Sequence, residues 1–248
     1  MVSIFDEGLL TTISAPPGLG KTDFTQLICY LALKHGYDVL SNIQLDMESS
    51  ITEIIVFENK MKHDGNFTLG DGLKELKKSS EVIKLLKHYH LVRNDLEFLN
   101  EAIKYKKSIL ILDEVNLFST SKRGMSPDTI MFEMFISAIR KFYCSLIFVI
   151  QRYRNFLPMI RELSFCNITK ITKQEAMFEL YPINKVFTAV NIPKSPLRFQ
   201  THGFSGWDFI IDWFKLFSDI KNLEDAKVIS FLKKESQNGF IKYIRKDI

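Results

Sequence analysis

The stretch Leu10–Thr22, Leu-Thr-Thr-Ile-Ser-Ala-Pro-Pro-Gly-Leu-Gly-Lys-Thr, restricts what this chain can become more than any other. A short β-branched run gives way to a loop carrying Gly18 and Gly20, then to Lys21-Thr22. After these, Phe24, Leu27, Ile28, Leu31 and Ala32 recur at helical spacing. Strand, glycine loop and helix in that order build a phosphate-binding loop. The glycines let the backbone curl so that successive N–H groups face one anion. The new helix adds its unpaired amides and the positive end of its dipole. Lys21 then reaches the β- and γ-phosphates of a nucleotide, and the Thr22 hydroxyl is a ligand for Mg²⁺. The loop consists of Ala15, Pro16, Pro17, Gly18, Leu19, Gly20, Lys21 and Thr22, and it departs once from G-x-x-x-x-G-K-[ST]: Ala15 takes the first glycine position. A methyl group is tolerated there only if Ala15 has no need of a positive φ.

Gly36 reads as a cap ending the helix, and Tyr37–Ile43 as a second strand that ends near Asn42. A strand, crossover helix and strand of this length form a right-handed βαβ unit and hence a parallel sheet. Ser108–Leu112 is an unbroken apolar run, as in a strand buried on both faces, and Asp113-Glu114 follow it. Parallel sheets bind ligands beyond the carboxyl ends of their strands. Two carboxylates placed there have separate tasks: Asp113 holds Mg²⁺ through its water shell, and Glu114 orients and deprotonates an attacking water. Ser145–Ile150 is another buried strand, and it ends on Gln151-Arg152. A side-chain amide at the tip of the strand beside the Asp-Glu strand can touch both the γ-phosphate and the lytic water. These residues point to an ATPase that uses ATP and Mg²⁺.

The remaining chain is less specific. Glu53–Lys62, Leu73–His90 and Leu96–Lys104 read as helices. Lys74, Lys77, Lys78, Lys84 and Lys87 give them a basic face, which is either solvated surface or a contact to a phosphate backbone. Ser126-Pro127-Asp128 is a helix start, with Met131, Met134, Phe135, Ala138, Ile139 and Phe142 as the buried stripe. Met159–Leu163 reads as a helical turn, and Asn167–Thr172 and Lys185–Val190 as strands. Trp207–Phe217 and Leu223–Leu232 read as two short amphipathic helices. The first carries Asp212 and few cations, which suits packing on the sheet or a neighbouring subunit better than lying on a membrane. At 248 residues the chain has room for one sizeable α/β domain over 1–200, with a helical insertion at about 47–106, and a C-terminal helical extension over 201–248. The formal net charge of +4 permits an acidic partner without arguing for one. Cys29, Cys144 and Cys166 are odd in number and far apart, so they read as buried thiols of a reducing compartment. No apolar run approaches the roughly 18 residues needed to span a bilayer, so a soluble, cytoplasmic protein without membrane insertion is expected.

With Gln151-Arg152 reached, the order of parts resembles the additional-strand P-loop ATPases. Within these it is similar to the FtsK/HerA group of DNA pumps, whose strand after the acidic pair ends in Thr-Gln-Arg-Pro. The matching tetrad here, Ile150-Gln151-Arg152-Tyr153, keeps the amide and the Arg but not the Thr and Pro. The chain also resembles the ATPase domain of filamentous-phage assembly proteins related to zonula occludens toxin. Leu40-Ser41-Asn42-Ile43, Asp113-Glu114, Arg140 and Gln151 stand where that family has a Val-x-Asn-Ile strand, an acidic pair, an Arg just before the next strand and a terminal Gln. These likenesses cover about residues 10–172. They imply an α/β fold with a RecA-like, mainly parallel sheet flanked by helices. They also imply a self-assembled ring, a hexamer, with each nucleotide between neighbouring subunits. An Arg from the next subunit would stabilise charge on the transferred phosphoryl group; Arg140 stands in that place, with Arg123, Arg152 and Arg154 as rivals. The work implied is translocation of double-stranded DNA, as in viral genome packaging, where the location would be the host cytoplasm, or in plasmid transfer. The Pro-Pro-Gly of the loop is also similar to AAA+ ATPases, which leaves a replication initiator or helicase loader as a second reading. A nucleotide-gated assembly scaffold without DNA contact is a third.

Overall fold

The β-branched run after Leu9 folds as β1 (Leu10–Ser14), buried at every position, and the other apolar runs assemble around it. The computed structural model describes residues 4–5, 8–62, 72–105, 107–115, 127–139, 142–181, 183–204 and 207–220, with isolated residues 227, 230, 231 and 234. After β1 come α1 (Lys21–Lys34), β2 (Asp38–Ser41), β3 (Ile43–Asp46), α2 (Met47–Lys62), α3 (Gly72–Leu86), β4 (Tyr89–Leu91) and α4 (Asp95–Lys104). The chain continues through β5 (Ser108–Leu112), α5 (Pro127–Ile139), β6 (Ser145–Ile150), α6 (Pro158–Leu163) and β7 (Cys166–Lys170). It closes with β8 (Ala176–Leu180), β9 (Lys185–Ala189), β10 (Arg198–Phe204) and α7 (Trp213–Ile220).

Eight strands form the main sheet, in the order β4-β2-β5-β6-β1-β7-β8-β9. Neighbours from β4 through β7 are parallel, and β8 and β9 extend the sheet as an antiparallel hairpin. β6 therefore lies between the loop strand β1 and the acidic strand β5, beside the Asp-Glu strand as the sequence reading expected. The side chains alternate between two cores, one on each face of the sheet. Leu110, Leu112, Leu146 and Phe148 join one core with residues of α4, α5 and α7. Ile109, Ile111, Ile147 and Val149 join the other with α1 and α3. The result is an α/β fold whose mainly parallel sheet is flanked by helices, the layout expected of a RecA-like P-loop NTPase.

Several boundaries differ from the sequence reading. The second strand breaks at Asn42, and β3 leaves the main sheet to pair antiparallel with β10 in a separate two-stranded ribbon. The helix expected over Leu73–His90 stops at Leu86, and Tyr89–Leu91 becomes strand β4 at the sheet's edge. β8 and β10 fall where no strand was expected. The helix expected over Trp207–Phe217 begins only at Trp213. Its first half is held extended because the Asp95 carboxylate accepts the N–H groups of Ile210 and Ile211, and Asp208 bridges to Asn94. A backbone so engaged cannot make helical i→i−4 bonds. Most of Leu223–Leu232, together with Arg123 and Arg140, lies outside the described residues. Of the basic face, Lys84 and Lys87 are exposed, while the side chains of Lys74, Lys77 and Lys78 lie outside those described. Among the described residues, no helix is long and apolar enough to cross a membrane.

Candidate active site

The loop between β1 and α1 takes its shape from two left-handed residues, Gly18 at φ 84° and Gly20 at φ 72°. A Cβ at either would meet nothing within 4 Å, so backbone conformation rather than space calls for glycine here. Ala15 is absent from the positive-φ residues. Its N–H donates to the Ile150 carbonyl of β6 at 3.3 Å, continuing the sheet. The condition set by the sequence is therefore met: Ala15 has no positive φ that would call for glycine.

Lys21, the first residue of α1, projects toward the end of β5. Its Nζ lies 2.9 Å from Glu114 Oε1 and 3.8 Å from Asp113 Oδ1. Thr22 Oγ1 donates to Asp113 Oδ2 at 2.8 Å. Gln151, at the tip of β6, donates from Nε2 to Glu114 Oε2 at 3.3 Å. The residues read as phosphate-binding, metal-binding and water-activating therefore converge on one edge of the sheet. Burial pushes the Asp113 carboxyl above the usual carboxylate range, with the Lys21 ammonium and the Thr22 hydroxyl opposing that shift.

Two features of the acidic turn escape a reading by sequence alone. Asn42, buried at the end of β2, accepts the Asp113 N–H at 2.8 Å and donates to the Asp113 carbonyl at 3.1 Å. This amide clamp fixes the backbone from which both carboxylates project. The signals in the sequence were a polar residue closing a strand and its place in Leu40-Ser41-Asn42-Ile43; neither names the clamp, which becomes readable once β2 is known to lie beside β5. Glu114 itself sits at φ 57°, a left-handed conformation that side chains other than glycine adopt at a cost. Its N–H donates to Asp113 Oδ1 at 2.8 Å, which helps hold the turn.

Thr22 Oγ1 and an Asp113 oxygen suit Mg²⁺ as well as they suit each other. Both are hard oxygen groups and lie 2.8 Å apart, so Thr22 would ligate the ion while Asp113 would hold it through its water shell. Among the described residues no group of three or more His, Cys, Asp or Glu could hold a metal. A hydrated Mg²⁺ shared with phosphate oxygens needs no such cage. A cleft of about 960 Å³ opens over the loop, at the upper end of the range for small-molecule sites. One wall carries the loop, Glu114 and Gln151. The other comes from residues the sequence reading left unassigned: Thr172–Gln174, Ile192–Lys194, Arg198 and Phe199. Arg152 and Arg154 are exposed near the tip of β6.

No protein-family model and no curated protein matches this sequence. Among solved structures the chain is similar to the genome packaging NTPase B204 from Sulfolobus turreted icosahedral virus 2 in complex with ATP-gammaS. That likeness has 13% identity and a TM-score of 0.44, covering 77% of this chain and 100% of the other. It is similar also to B204, the DNA-packaging ATPase from Sulfolobus turreted icosahedral virus, at 15% identity and a TM-score of 0.49 over 76% of this chain and 100% of that one. A DnaB-like replicative helicase is a third likeness, at 14% identity and a TM-score of 0.49, covering 79% of this chain and 59% of the helicase.

Proposed function

We propose that the protein hydrolyses ATP and uses the energy to move double-stranded DNA through a ring of its own copies, a hexamer, in viral genome packaging or plasmid transfer. The observation that carries the ATPase reading is the convergence of Lys21, Asp113, Glu114 and Gln151 within hydrogen-bond or ion-pair distance at one sheet edge. The loop amides and Lys21 bind the phosphates. Thr22, with Asp113 acting through the ion's water shell, would hold Mg²⁺, which would supply charge neutralisation at the phosphates. Glu114 takes the proton of the attacking water, and Gln151, already touching Glu114, places that water against the γ-phosphate. Arg140 of the adjoining subunit is the residue we assign to stabilising the transferred group. The DNA-moving part of the proposal rests on the likeness of the motifs to FtsK/HerA pumps, since a site of this kind serves many tasks.

The test is ATP turnover with and without duplex DNA across a salt series, with Lys21→Ala as the control. A pump gives turnover that rises with duplex length, loses the stimulation as salt increases, and is abolished by Lys21→Ala. Turnover indifferent to DNA would overturn the pumping assignment in favour of an assembly scaffold. Slow turnover coupled to ATP-dependent oligomerisation would do so in favour of a loader. An active Lys21→Ala would overturn the ATPase reading.

A further inference from the structure

Strand order gives the cleft a direction. The acidic strand β5 lies on one side of the loop strand β1, with β6 between them, while β7 lies on the opposite side of β1. Strands are about 4.8 Å apart, so the edge from β5 to β7 spans about 14 Å. A nucleoside triphosphate whose γ-phosphate faces Glu114 and Gln151 must therefore run along the loop toward β7. What waits there is the pair of peptides at the base of the β8–β9 hairpin, Thr172–Gln174 before β8 and Ile192–Lys194 after β9, both lining the cleft.

These peptides are braced from several directions. The Ile192 N–H donates to the Gln174 carbonyl at 2.9 Å and joins one to the other. The Ser195 N–H donates to Asp23 in the first turn of α1, at 3.3 Å. Below them lies Lys170, the last residue of β7, only 2% exposed. Its ammonium donates to the Lys173 carbonyl at 2.9 Å and sits 4.8 Å from the ring centroid of Phe24 in α1. A buried ammonium is costly to keep in place, and here it fixes the loop's backbone against the phosphate-binding helix. With the Lys173 and Gln174 carbonyls both engaged, the exposed side-chain amide of Gln174 remains at the cleft wall. An amide presents a donor beside an acceptor, the complement of adenine's N6 amino group and N7. Guanine presents two acceptors, O6 and N7, along that edge, which no orientation of one amide can match. Ile192 supplies an apolar face on which a purine can lie.

We infer that the base of the β8–β9 hairpin is the nucleoside subsite, with Ile192 against the face of the purine and Gln174 selecting adenine over guanine. The inference rests on the nucleotide reading above. It is tested by photolabelling the full chain with 8-azido-ATP, mapping the modified peptides by mass spectrometry, and measuring competition by ATP and by GTP. In the wild type, the label falls within residues 171–175 or 191–195, ATP competes better than GTP, and Lys21→Ala abolishes labelling. In Gln174→Ala, whose altered side chain is exposed, labelling persists and the advantage of ATP over GTP shrinks about tenfold. Specific labelling that maps instead to residues 42–46 or 113–115 overturns the subsite while leaving nucleotide binding intact. A wild type that does not distinguish ATP from GTP, or a Gln174→Ala protein that distinguishes them equally well, overturns the role of Gln174. Labelling that ATP does not displace, or that survives Lys21→Ala, overturns the nucleotide reading and the subsite with it.

Discussion

Glu114 combines two demands that ordinarily conflict. Its carboxylate is held between Lys21 and Gln151, and its backbone is held in a region where a Cβ is unwelcome. Replacement by Gln keeps size and backbone while removing the base. Glu114→Gln is expected to bind ATP but turn it over about 10²- to 10⁴-fold more slowly, measured by filter binding against single-turnover kinetics. The backbone cost is isolated by comparing two variants that both lack the carboxylate. Glu114→Gly should be more stable than Glu114→Ala by about 1 kcal/mol in chemical denaturation, and equal stabilities would show that the turn carries no strain. At this scale the grouping of the candidate site was legible, because reading Lys21 and the Asp113-Glu114 pair together requires them to meet at one sheet edge, as they do. Asn42 was not, since its value comes from a neighbour 71 positions away in the chain. The bearing of Ala15 was left conditional on a dihedral angle, which only a structure supplies.

Among the elements, α4 shows how one side chain directs a distant segment. Asn94 caps it by accepting the Glu97 N–H at 2.8 Å, and the adjacent Asp95 is fully buried. The Asp95 carboxylate accepts from the Ile210 and Ile211 N–H groups and from the Trp213 indole. Burial outweighs these donors and pushes the carboxyl up to about 6. A carboxyl raised above its unfolded value favours the folded state fully at low pH, and that contribution is lost as pH rises through about 6. The wild type should therefore lose up to roughly 3 kcal/mol between pH 4 and pH 8 relative to Asp95→Asn, which cannot ionise. Denaturant titrations of both proteins at the two pH values measure that difference, and parallel pH profiles would contradict it. Asp95→Ala, leaving three donors without their acceptor, should cost about 2–4 kcal/mol at pH 4 and less at pH 8, where the wild type has lost the contribution of the protonated carboxyl. Helical periodicity could not reveal this arrangement. Trp207–Asp212 has the apolar spacing of a helix, yet its amides are claimed by a carboxylate more than a hundred residues earlier. β4 was hidden for a related reason: three residues at a sheet edge carry too short a pattern to compete with the helix before them.

Taken whole, the molecule is a sheet with two cores, and one of them is completed from the C-terminal side. Trp207, Ile211, Trp213 and Leu216 are buried with α5, and Phe135 meets the rings of Trp207 and Trp213 at 5.5 and 5.2 Å. Burying each such side chain contributes roughly 1.5–3 kcal/mol, so together they rival the whole net stability of a domain. A chain truncated after residue 206 should lose cooperative unfolding and near-ultraviolet dichroism; retention of both would show the segment to be dispensable. Of the central parallel strands, β5 and β6 were readable as nearly continuous apolar runs and β1 and β2 from their places before and after the glycine loop and its helix, whereas β8 and the ribbon strand β10 have mixed faces and no such marker. The cysteines were expected to be buried, and they are: Cys29, Cys144 and Cys166 are free and at most 1% exposed. Burial holds the thiols of Cys29 and Cys166 in the protonated form, which reacts poorly with electrophiles. The native protein consequently offers a silent background to maleimide dyes, so a single cysteine introduced at the rim of the cleft would carry a fluorophore without any native thiol having to be replaced.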